Sequence, residues 1–79
     1  MYLFDVALWL FWPDALPIVE FIEAPSRIEA LEQVMRMHDL FKCARAAVAL
    51  CESGFIVRYD HPLRTAEGEL EAEFLLSAA

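Results

Sequence analysis

Positive charge is missing from both ends of this 79-residue chain: no Lys or Arg precedes Arg27, and none follows Arg64. Nucleic acid is therefore not an expected ligand, because binding it relies on Lys and Arg displacing phosphate counterions. Glycine is almost absent, with Gly54 and Gly68 alone, so there is no glycine-rich loop to cradle a phosphate. Cysteine occurs twice, at Cys43 and Cys51, without a CxxC pattern. Together with His38 and His61 these fit none of the common zinc spacings, and no metal or other cofactor is expected. A single unpaired set of thiols points to a reducing, cytoplasmic compartment. Long apolar runs are lacking as well: Asp5, Pro13, Asp14 and Pro17 interrupt the opening stretch well short of the roughly 20 residues a spanning helix needs. No transmembrane segment and no secretory leader are expected, the latter because the start carries no positive charge.

What the chain has in excess is apolar surface. It is 59% apolar and 24% charged at a net charge of -7, where a soluble domain averages about 45 to 50% apolar. One domain, residues 1–79, is expected, and a domain this small buries only about 60% of the surface of its unfolded chain. Apolar surface beyond that limit implies homo-oligomerisation or docking into a larger protein assembly. The acidity is concentrated where the basic residues are missing, with Asp5, Asp14, Glu20 and Glu23 ahead of Arg27 and Glu67, Glu69, Glu71 and Glu73 after Arg64.

The order of elements follows from periodicity. "MYLFDVALWLFWPD" has no polar face at a 3.6-residue period and ends at a proline-aspartate turn, so residues 2–12 read as a strand. It would set Leu3, Asp5, Ala7, Trp9 and Phe11 against Tyr2, Phe4, Val6, Leu8, Leu10 and Trp12. A second strand is expected over 17–23. Ser26 with Glu29 three residues on is a capping-box pattern that predicts a helix over about 26–40. Its apolar stripe is Ile28, Leu31, Val34 and Met35, with His38 at the end and a Glu32 to Arg36 pair opposite. "ARAAVALCESGFIVRYD" predicts two strands around a turn at Gly54. "HPLRTAEG" reads as a loop, and "GELEAEFLLS" as a half-exposed strand, although its Leu and Glu content also suits a helix. The fold class is thus α+β, strand-strand-helix-strand-strand, a small sheet of four or five strands on one helix.

One helix covers one face of a sheet, and the opening strand is greasy on both. Trp9, Phe11, Trp12 and Leu10 are therefore the candidate partner-binding residues, large aromatics being the usual anchors of interfaces. No catalytic residue is assigned. Asp60 beside His61 lies on an apparent loop without a third orienting group, and the four C-terminal glutamates look like a solvated strand face.

"YLFDVAL" followed by "EFIEAPSRIEALEQVM" resembles the small linker domains of phycobilisomes, of the rod-capping and core-capping kind, in an F-x-V strand and a second strand running through proline into a helix. The matching positions are Phe4, Val6, Phe21, Ile22, Pro25, Ile28, Leu31 and Val34. The resemblance implies a non-catalytic linker that joins phycobiliproteins at the cytoplasmic face of a photosynthetic membrane. From the residues themselves, two further classes stay open: an acidic inhibitor of the phage anti-defence type that occupies a basic site, and an enzyme or ligand-binding dimer.

Overall fold

The computed structural model describes residues 1–64 in full and the backbone of 70–76. Its elements are β1 (Tyr2–Trp9), β2 (Ile18–Ala24), α1 (Arg27–Met37), β3 (Arg45–Leu50), β4 (Ile56–Arg64) and β5 (Leu70–Leu76). The strands form one antiparallel sheet in the order β2-β1-β3-β4-β5. The α+β class expected from the sequence holds, and the element order matches it roughly.

The helix starts where the cap predicts. Ser26 has extended backbone, and its side chain accepts a hydrogen bond from the Glu29 N–H at 3.2 Å. The far end comes three residues earlier than periodicity suggested. Asp39 takes a left-handed conformation with φ 55, and the Leu40 N–H turns back to the Met35 carbonyl at 2.8 Å. That reversal satisfies a terminal carbonyl and stops the helix. On the outer side Glu32 and Arg36 pair as expected.

Helix α1 lies across one face of the sheet, touching β1, β2 and β3. The core between them is Phe4, Val6 and Leu8 from β1, Ala46 and Val48 from β3, Val57 and Tyr59 from β4, and Ala30, Leu31, Val34 and Met35 from the helix. Each large aliphatic buried there contributes about 1.5 to 3 kcal/mol. Ile28, expected within the buried stripe, sits at its margin and is 37% exposed, its place in the core taken by Ala30. Arg27 closes one end of this layer: it donates to the Val48 carbonyl and lies 5.7 Å from the Phe4 ring and 5.2 Å from Phe55. Burial raises the pKa of the Tyr59 hydroxyl, and the nearby Arg27 charge pulls it partly back.

Two other boundaries differ from expectation. β1 ends at Trp9 rather than residue 12, because Leu10 to Pro17 form the connection to β2. The expected loop "HPLRTAEG" begins inside a strand: β4 runs to Arg64, with a register shift between Asp60 and Leu63 and His61 at φ 47. Residues 65–69 and the side chains of 70–76 lie outside the description, and with them the expected exposure pattern of β5. Gly54, at φ 75, makes the turn between β3 and β4, its N–H reaching the Leu50 carbonyl at 2.7 Å. Among the described residues no helix is long and apolar enough to cross a membrane.

Candidate protein-docking site

The second face of the sheet is built from the alternate residues of the same strands. On β2 and β1 these are Val19, Phe21 and Glu23 beside Leu3, Asp5, Ala7 and Trp9; on β3 they are Arg45, Ala47 and Ala49. No described element lies over them. Small side chains occupy the middle, and the bulky ones stand at the β1–β2 edge, where Leu3 is 46%, Val19 48% and Phe21 66% exposed.

At one end of that edge the β1–β2 connection carries the candidate residues. Trp9 is half-buried; Leu10, Phe11 and Trp12 are exposed, as is Leu16. The indoles of Trp9 and Trp12 meet edge to face, with centroids 5.1 Å apart. The Arg45 guanidinium stacks on Trp12 at 4.4 Å, and its Nε is buried without a hydrogen-bond partner. Trp9 and Trp12 thus brace the hairpin. Leu10 and Phe11 line a shallow groove of about 430 Å³ together with Lys42, Cys43, Ala44 and His61. Backbone bonds fix the groove floor: the Ala44 N–H to the Trp9 carbonyl at 2.9 Å, and the His61 N–H to the Ala44 carbonyl at 3.1 Å.

The titratable groups near the groove are Asp60, His61 and Cys43. His61 Nε2 stands 3.7 Å from Asp60 Oδ1, and the His61 side chain is largely in solvent. Burial pushes the Cys43 thiol up to about 11, which leaves it protonated and inert at neutral pH. Cys51 is exposed on the far turn, so the two cysteines do not meet. His38 is engaged with Glu20 at 3.0 Å. Among the described residues no group of three or more His, Cys, Asp or Glu gathers where a metal could be held.

The four residues singled out from the sequence lie together on and beside the β1–β2 connection, Trp9 half-buried and the other three exposed; Leu16, Val19 and Phe21, exposed nearby, were not singled out. Val19 and Phe21 alternate with Ile18 and Ile22, and all four look alike until the helix chooses which pair to cover. Comparison of the chain with protein-family models, with curated proteins and with solved structures finds no match.

Proposed function

We propose that this chain is a non-catalytic accessory subunit that docks into a larger protein assembly through its β1–β2 hairpin. One observation carries the reading. Of the fourteen exposed large apolar side chains among the described residues, nine lie in residues 1–21, on a hairpin at the sheet edge. A scatter of single exposed hydrophobes would need no explanation, but concentration on one element does. The hairpin tip offers Phe11, Leu10 and Leu16 as exposed anchors, beside the braced pair Trp9 and Trp12.

In its most specific form the assembly is a phycobilisome and the partner a phycobiliprotein, at the cytoplasmic face of a photosynthetic membrane. That form rests on the resemblance alone. Phe4, Val6, Leu31 and Val34, which carry much of it, are core residues here, so they speak to a strand-helix packing pattern rather than to partner contact. A second reading, the acidic inhibitor, is favoured by Asp5, Asp14, Glu20 and Glu23 standing in residues 1–26 without a single basic group.

Affinity capture from native lysate with wild type and Phe11→Ala, washed at low and high salt, tests both. A partner that stays at high salt and is lost with Phe11→Ala supports apolar docking. A partner that washes off at high salt regardless of Phe11 supports the inhibitor, since screening weakens charge pairing between exposed groups. Bilin absorbance in the captured fraction would identify the linker form. Capture that is unchanged by Phe11→Ala at both salts refutes the hairpin as the docking element.

A further inference from the structure

The outer edge of β2 has its own chemistry, which goes beyond hairpin docking. Beyond Leu50 the Cys51 N–H bonds to the Leu3 carbonyl at 3.0 Å, and the Ala44 N–H bonds to the Trp9 carbonyl. Leu3 and Trp9 therefore aim their backbone groups at β3, and with them every odd residue of β1. The even residues Phe4, Val6 and Leu8 aim theirs at β2, where they pair with Ile22, Glu20 and Ile18. By the same alternation the N–H and carbonyl groups of Val19, Phe21 and Glu23 point away from β1, and no described strand lies on that side. The edge is lightly guarded: β2 has no internal proline, no lysine and no bulge against β1, and its charges are Glu20, held by His38, and Glu23.

We propose that this edge pairs with β2 of a second copy of the chain, antiparallel and centred on Phe21, which extends the sheet across a two-fold axis. The register follows from the sequence Ile-Val-Glu-Phe-Ile-Glu-Ala. Centred on Phe21, all three outward residues face outward residues: Phe21 meets Phe21 of the second copy, and Val19 meets its Glu23 in both directions. That makes three pairs with two hydrogen bonds each. A register centred on Glu20 makes only two such pairs and sets Glu20 against its own copy. One centred on Ile22 also makes only two. In the Phe21 register every acid faces an aliphatic side chain, Glu20 against Ile22 and Glu23 against Val19, so no like charges stand directly opposite. The side chains of Val19 and Phe21, largely exposed in one chain, would cover each other. A basic strand from another protein fits less well, because Glu20 is already held by His38 and only Glu23 would be free to pair with it.

Sedimentation equilibrium from about 10 μM to about 1 mM should show the mass moving from one chain toward two. Raising salt should strengthen the association, because two chains of charge -7 repel each other less when screened. Phe21→Lys should abolish it while circular dichroism and the urea midpoint stay those of wild type. As a test independent of that variant, Phe21→Cys in a Cys51→Ser background should cross-link to itself under mild oxidation. Val19→Cys in the same background should not, since it lies opposite residue 23, beyond the roughly 7 Å limit of a disulfide. A monomer throughout the concentration range overturns the proposal. So does a dimer that survives Phe21→Lys, or one in which Val19→Cys cross-links as readily as Phe21→Cys.

Discussion

Trp12→Ala and Phe11→Ala, neighbours on the hairpin tip, should behave as opposites, because one ring braces the fold and the other does not. Removing the Trp12 indole deletes an edge-to-face contact with Trp9 at 5.1 Å and a cation-π contact with Arg45 at 4.4 Å. Such an aromatic pair contributes about 0.5 to 1.5 kcal/mol, and an exposed cation-π pair about 0.5 to 1. The Arg45 Nε, buried without a partner under that ring, regains water and offsets part of the loss. A net cost of about 1 to 2 kcal/mol is expected, or a fall of about 1 to 2 M in the urea midpoint for an m value near 1 kcal/mol/M. Phe11 is 70% exposed, and its removal should change stability by no more than about 0.5 kcal/mol. On binding the order reverses: loss of an anchor costs about 2 kcal/mol or more, roughly thirty-fold in affinity. Urea titrations followed by circular dichroism, paired with titration against the captured partner, read both axes. Equal destabilisation by the two variants would show that Phe11 is core and sink the division of labour at the tip. A Phe11→Ala protein that binds as well as wild type would remove it as the anchor.

Ser26→Ala should cost about 0.5 to 2 kcal/mol by removing the acceptor for the Glu29 N–H, measured as a shift in thermal or urea midpoint. Leu31→Ala, at a fully buried position under the sheet, should cost about 2 to 5 kcal/mol by the same measurement. Stability should fall as pH rises from 9 toward about 11: the folded state holds the Cys43 proton more tightly than the unfolded chain, so its contribution is complete below the unfolded pKa and disappears above the folded one. Cys43→Ala should flatten that part of the profile, leaving the later decline from Tyr59, whose pKa is raised in the same direction. A thiol reagent at neutral pH should label Cys51 at once and Cys43 only on unfolding.

The parts of this fold legible in the sequence are those that local chemistry decides. Ser26 and Glu29 mark the helix start because a cap is a contact between residues three apart. Gly54 marks the β3–β4 turn because the backbone there needs a positive φ. The helix end was less visible, since Asp39 rather than glycine takes the left-handed position, a substitution that aspartate tolerates but does not announce. β4 was read too short for a related reason: Pro62 usually ends a strand, yet the register shift at Asp60 to Leu63 lets the chain pass it and resume pairing. The site was half legible. Apolar excess in residues 2–12 pointed to Trp9, Leu10, Phe11 and Trp12, but which of these brace and which project depends on Arg45, distant in sequence and brought to Trp12 by its register opposite Trp9.

The hairpin is bare on its outer face, its edge and its tip because the one helix covers only the inner face of the sheet. Five strands at about 4.8 Å spacing span about 19 Å between their outer axes, whereas a helix with its side chains is about 10 to 12 Å across. An eleven-residue helix is about 16 Å long, shorter than the roughly 23 to 26 Å of β1 and β2. The helix packs on β2, β1 and β3, and the inward residues of β1 and β3, Val6, Leu8, Ala46 and Val48, are fully buried. β2, at the margin, has its inward residues Ile18 and Ile22 only partly covered and its outward ones exposed. A chain with spare apolar residues could have evened this out with polar substitutions on β2 and the tip, as edge strands commonly do. Here the edge keeps Val19 and Phe21, the tip keeps Phe11 and Leu16, and Asp5, Asp14, Glu20 and Glu23 lie among them in the sequence. Apolar contact surface interleaved with acid, on the edge of the sheet and on the face opposite the helix, is the arrangement that the proposed docking would use.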